Sequence, residues 1–185
     1  MCDKITEAEV DRLNIDLRNR VEALHEVLQD VQARLRTGSG GAGRVIYLAG
    51  AISGVTVEEA TKWRQTAGDI LMAAGYGVFN PTDDKDLTHP AANTELYTAE
   101  AIVETDLAMI QRSDIILAEA SRTDVPYWGT AMEIRYAYEH GKQIVVWGAK
   151  KPSYWLQYHA TRIFETLDGA LGFIVQVWPC LKERR

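Results

Sequence analysis

Ser113-Asp114-Ile115-Ile116-Leu117-Ala118-Glu119 and, after a loop, Gly129-Thr130-Ala131-Met132-Glu133-Ile134-Arg135-Tyr136-Ala137 decide the fold of this 185-residue chain. An apolar run behind a polar Asp114 reads as a buried parallel strand, because a strand covered on both faces needs no polar alternation. Gly129-Thr130 reads as the start of a helix, which places Glu133 in or near its first turn. Open parallel sheets bind ligands outside the carboxyl ends of their strands, where loops feed helix N-termini. A carboxylate there faces the ligand and is kept ionised by the helix dipole, so Glu133 is a candidate nucleophile. A favourable first-turn acid with no further role accounts for the same letter equally well.

The segments on either side repeat this strand–helix pattern. Arg44 to Ala49 reads as a first strand, followed by the turn Gly50-Ala51-Ile52-Ser53-Gly54, whose terminal glycines let backbone N–H groups approach a ligand. A helix is predicted from about Thr56 to Ala74, with Ala60, Trp63, Ala67, Ile70, Leu71 and Ala74 on its buried face. Gly75 and Gly77 end it, Val78-Phe79-Asn80 forms a second strand, and Pro81 closes that strand. Residues 82–95 are polar and of a length often used for a lid or a substrate wall. Their aspartates and His89 show no metal-ligand spacing. A helix from about Glu95 to Arg112 turns Ala101, Ile102, Leu107 and Ile110 inward. Beyond the Glu133 helix, which Gly141 ends, come the strand Gln143 to Trp147, a helix from Ser153, a short strand at Ile163-Phe164 and a last helix. The alternation predicts an α/β fold: a doubly wound, flavodoxin- or Rossmann-like parallel sheet of about five strands. Its switch point lies between the first strand and the Asp114 strand, which gathers Tyr47, the Gly50–Gly54 turn and Glu133 around one crevice.

Ahead of this unit, Thr6 to Arg36 contains no Gly or Pro, and apolar residues stand at 10, 13, 17, 21, 24, 28, 31 and 35. That spacing predicts a long amphipathic, coiled-coil-like helix over residues 1–36 that buries one narrow stripe, here favoured as a self-association element. Residues 37–43 form a Gly-rich linker. Gly38, Gly40 and Gly43 match the letters of a dinucleotide fingerprint but precede a strand instead of following one, so that reading is rejected. The remaining unit, where the strand–helix alternation and the candidate site lie, is then 44–185. A net charge of −6 argues against nucleic acid or an anionic membrane as partner. No apolar stretch is long enough to span a bilayer, and two cysteines at opposite ends, Cys2 and Cys180, suit a reduced compartment. A cytoplasmic location is the expectation.

Four pieces resemble the nucleoside 2-deoxyribosyltransferases and their nucleotide N-glycosidase relatives, and together they span about Arg44 to Ile174. They are Ile46-Tyr47-Leu48-Ala49-Gly50; Gly77-Val78-Phe79-Asn80-Pro81; Asp106-Leu107-Ala108-Met109-Ile110 running into Ser113-Asp114; and Gly129-Thr130 with Glu133. The resemblance implies cleavage of an N-glycosidic bond through a glycosyl-enzyme intermediate, with no metal or organic cofactor. It implies Glu133 as nucleophile, Tyr47 as the group that orients it, and Asp106 as the acid facing the base. A core tyrosine and a surface helix acid are the plain alternatives for the last two. Asp106 stands among Val103, Leu107 and Ile110 near the end of a helix, where an acid gains nothing from the dipole, and this favours function.

The substrate-binding candidates are Gly50, Ser53, Asp114, Asp124, Tyr127 and Gly129. Ser53 suits a sugar hydroxyl, a phosphate or simply the turn, and Asp114 suits a structural hydrogen bond at the opening of its strand. The position six residues before the nucleophile, where transferases of this family tend to carry an acid and the monophosphate hydrolases a serine, is Tyr127, with Asp124 nearby. Arg64 and Arg122 keep a nucleotide substrate open. The partners implied are nucleosides, free nucleobases and further copies of the chain, the aromatic stretch Tyr154–His159 being a candidate contact. Base transfer is the favoured reading, followed by hydrolysis of a nucleoside or nucleotide, and then by a nucleotide-sensing module without turnover.

Overall fold

Five strands, β1 (Val45–Ala49), β2 (Gly77–Phe79), β3 (Ile115–Glu119), β4 (Gln143–Trp147) and β5 (Arg162–Phe164), form one sheet in the order β2-β1-β3-β4-β5. All four pairings are parallel. The structure is a computed structural model that describes residues 43–83, 87 and 98–177. The expected N-terminal helix, nearly all of the linker and most of the 82–95 loop lie outside the described residues.

Parallel strands need crossovers, and helices supply them on both faces. On one face α1 (Val57–Ala73) and α5 (Leu167–Gly172) pack Ala67, Leu71, Ala170 and Leu171 against Ile46, Leu48, Ile115, Leu117 and Val145. On the other, Ile110 of α2 (Ala99–Arg112) and Ile134 and Ala137 of α3 (Trp128–Glu139) pack against Tyr47, Ala49, Ile116, Ala118, Ile144 and Val146. The short α4 (Tyr154–His159) adds Leu156 to that face. This is the doubly wound sheet that the alternation predicts. Its order reverses between β1 and β3, so the crevice expected at the switch point opens there. In the β1–β3 register Ala49 lies beside Ala118.

The helix starts follow from side-chain caps. Thr56 accepts from the Glu59 amide while the Glu59 carboxylate accepts from the Thr56 amide at 2.8 Å, a reciprocal capping box. Thr98 caps α2 through the Ala101 amide at 3.1 Å, so that helix begins at Ala99 and not near Glu95. Asp106 therefore sits in mid-helix and not near its end. Two expectations for α1 also change. Ile70 is exposed, and Arg64 takes a fully buried place instead. Periodicity finds the inward stripe, but a long charged side chain can occupy it when carbonyls are there to receive it.

Candidate active site

Tyr47 lies in the middle of β1 with none of its surface exposed, and its hydroxyl donates to Glu133 Oε1 at 2.6 Å. The bond crosses from the sheet to α3, which begins at Trp128 with Tyr127 as N-cap and no side-chain cap. Gly129-Thr130 is thus inside the helix, and Glu133 stands in the second turn, not the first. The dipole fades within one turn, and the Tyr47 phenol is a local donor to the Glu133 carboxylate. Burial, and after it the Glu133 carboxylate, push the Tyr47 phenol far above its ordinary ionisation range, which keeps it a proton donor to that carboxylate.

Behind β1 lies a cation that the sequence reading placed wrongly. Arg64 is 1% exposed. Its guanidinium donates to the carbonyls of Leu48 at 3.3 Å, Gly50 at 2.8 Å and Ala60. It clamps the carboxyl end of the strand that carries Tyr47 and is spent on backbone. Burial pulls its acidity upward, and the charges of Glu133, Glu119 and Asp106 oppose that. Gly50 is a glycine because of this packing: a Cβ there would stand 2.9 Å from Trp63 Cζ2 and 3.1 Å from both Arg64 Nη2 and Glu119 Cβ.

A crevice of about 580 Å³ opens above Tyr47, within the range of small-molecule sites. Gly50, Ser53, Asp106, Gly129 and Glu133 all line it. Its walls are apolar: Ile102, Val103 and Leu107 from α2, with Pro126, Trp128 and Met132 on the opposite side. Among the described residues that line it there is no lysine, arginine or histidine. Gly129 leaves open space where a Cβ would stand.

Three candidates stand elsewhere. Asp114 is at the amino end of β3, opposite the crevice, where its carboxylate accepts from the Val45 amide at 2.9 Å; the structural role accounts for it. Asp124 pairs with Arg122 at 2.6 Å, which holds the carboxyl below its usual range. Arg122 also pairs with Glu59 at 2.5 Å, outside the crevice. The Tyr127 hydroxyl turns to Glu119, at 2.9 Å, and faces away from the crevice lining. Glu119 itself, 5% exposed, was not among the sequence candidates. Its signal was present: an apolar strand that ends on an acid at the carboxyl edge of a parallel sheet.

The fold is an α/β doubly wound sheet with a small-molecule-sized crevice at its switch point, lined by two carboxyl side chains among apolar ones. The chain belongs to the nucleoside 2-deoxyribosyltransferase family, whose model matches residues 46–172. Two solved structures share the fold: a 2-deoxyribosyltransferase from Bacillus psychrosaccharolyticus (TM-score 0.54, 20% identity, 69% of this chain and 90% of that one) and one from Leishmania mexicana (TM-score 0.56, 20% identity, 72% and 98%). A CMP N-glycosidase from Clostridium botulinum also matches, with TM-score 0.46 and 17% identity over 65% of this chain and 86% of that one. No curated protein sequence matches the chain significantly.

Proposed function

We propose that the protein is a nucleoside 2-deoxyribosyltransferase that exchanges the base of 2-deoxynucleosides by two displacements at Glu133. The observation that carries this reading is the hydrogen bond from the buried Tyr47 to Glu133, which lines the switch-point crevice. A Glu133 carboxylate oxygen attacks C1′ on the face opposite the base. The C1′–N bond breaks with its electron pair going to the base, and Asp106 in its acid form supplies the proton that neutralises it. The product is a glycosyl ester on Glu133. An incoming base attacks C1′, passes its proton to Asp106 and releases the Glu133 carboxylate, so configuration at C1′ is retained.

The lining supports a substrate with an uncharged 5′ end. A 5′-phosphate would enter a crevice with two carboxyl groups and no cation among the described lining residues, at a Coulombic disadvantage. Arg64 and Arg122, which had kept a nucleotide open, are engaged with carbonyls and with Glu59 and Asp124. In this reading the enzyme works as a homo-oligomer in the cytoplasm. The exposed aromatic face of α4, with Tyr154 88%, Trp155 77% and Tyr158 68% accessible, supports the oligomer.

The test is chromatography of protein incubated with deoxyinosine and free adenine, beside a tube that holds a deoxynucleoside monophosphate. Deoxyadenosine in the first tube supports transfer, and its loss in Glu133→Ala with the fold retained supports the nucleophile. Free base and sugar phosphate in the second tube alone would replace the proposal with a nucleotide hydrolase. Silence in both, with folded protein, would move the weight to another base or to the sensing module.

A further inference from the structure

Glu119 closes β3 and shares the strand face of Ile115 and Leu117, so its side chain leaves the sheet on the α1 side, away from Glu133. It is almost fully buried, and its carboxylate gathers donors from one short loop. The Ser121 amide donates at 2.5 Å, the Ser121 hydroxyl donates to the same oxygen, and the Tyr127 hydroxyl lies 3.0 and 2.9 Å from the two oxygens. The Tyr127 oxygen in turn accepts from the Arg122 amide at 3.1 Å. Both ends of the loop are thereby tied to one side chain.

The loop is pinned from behind as well. Ala120 donates to the Trp147 carbonyl at 2.9 Å. Gly148, at φ +87°, lies so close that a Cβ would fall 2.5 Å from Ser121 Cβ. What the loop delivers is the start of α3. Tyr127 is the N-cap, its own side chain makes no cap bond to the helix, and its carbonyl takes the first helical bond from Ala131 at 2.8 Å. Glu133 follows six residues after Tyr127 on the same rigid helix.

We propose that Glu119 is a positioning residue for Glu133: by holding the Tyr127 hydroxyl it fixes where α3 begins, and with it how far the Glu133 carboxylate reaches into the crevice. The proposal rests on the reading of Glu133 as nucleophile. It explains why the position six residues before Glu133 carries a tyrosine turned from the crevice: the side chain there anchors the helix and leaves the substrate to others. A carboxylate is needed because every group around it is a donor, and an amide would set N–H against O–H.

The experiment compares Tyr127→Phe, Glu119→Gln and the double variant with the wild-type protein. It measures kcat and KM for base exchange and amide hydrogen exchange at Ala131, Met132 and Glu133. Tyr127→Phe removes one oxygen and keeps the ring, so it folds even where Glu119→Gln does not. The expected result is faster amide exchange in the first turns of α3 and a kcat about ten- to a hundredfold lower, the range that a displaced catalytic group costs, with KM little changed. The double variant is expected to be no worse than the poorer single one. An unchanged kcat despite faster amide exchange would mean a merely structural bond and overturns the proposal. So do unchanged amide exchange, losses that multiply in the double variant, and a raised KM with unchanged kcat, which would make Tyr127 a substrate contact. If the wild-type protein exchanges no base, the transferase reading fails by itself, and kcat and KM are read on nucleotide hydrolysis where that is the activity found. The clamp on α3 is then upheld by faster amide exchange in the variants and overturned by its absence.

Discussion

Tyr47→Phe separates the two halves of the proposed reaction. The phenol donates at 2.6 Å to the Glu133 carboxylate. Hydrogen bonds to a charged group contribute about 1.5–3 kcal/mol, against about 0.5–1.5 for neutral partners. In the glycosyl-enzyme the acceptor is an ester, so the bond favours free carboxylate over ester by the difference, about 1–2 kcal/mol. Deleting the hydroxyl should therefore shift the equilibrium between free and glycosylated enzyme towards the ester by roughly five- to thirtyfold. It should also slow the step that regenerates the carboxylate. Intact-protein mass spectrometry after mixing with deoxyinosine reads the first effect as a larger population of glycosylated chain; base-exchange rates read the second. A glycosylated fraction equal to or below that of wild type, with turnover unchanged, would refute the argument. The same substitution has a stability signature. Tyr47 binds its proton more tightly folded than unfolded, where its ordinary pKa is 10.0. Its contribution is complete below pH 10 and drains away above it, at about 1.4 kcal/mol per pH unit. Melting between pH 9 and 11 should accordingly fall less steeply in Tyr47→Phe than in wild type, and equal slopes would contradict it.

Asp106→Asn removes the proposed acid, so exchange with a natural purine deoxynucleoside should drop about a hundredfold or more. A deoxyriboside whose leaving group needs no proton should lose far less, and equal losses would take Asp106 out of the acid role. Gly148→Ala forces a side chain onto a backbone at φ +87° and onto Ser121. A cost of about 2–4 kcal/mol is expected in urea unfolding from strain and overlap together, and a loss under about 1 kcal/mol would show that the β3–α3 loop is soft. Removing residues 1–43 should lower the number of chains per particle, read as light-scattering mass divided by chain mass, and spare base exchange. An unchanged number of chains would assign the assembly to other surfaces, the aromatic face of α4 first.

The sheet and its crevice were legible because hydrophobic pattern and punctuation agree. Ile115–Ala118 and Ile144–Val146 are continuous apolar runs, as strands buried on both faces require. Thr56 and Ser153 announce their helices, and the turns end on glycines such as Gly141 at φ +67°. What periodicity cannot report is where a buried position holds a charge. Arg64 is hidden under the α1 stripe because the carbonyls of Leu48, Gly50 and Ala60 converge there, three groups from two segments whose meeting is a tertiary fact. Glu119 reads as the polar end of a strand until Ser121 and Tyr127 fold back onto it. The start of α3 was misplaced for the same reason. No Ser, Thr, Asp or Asn caps it; its first turn is set by the Tyr127 phenol held on Glu119, a bond across eight residues that no local propensity encodes. The sequence thus reveals Asp106, Glu133 and the Tyr47 that bonds Glu133, while Arg64 and Glu119 sit behind the sheet end, where only the assembled backbone gives them partners.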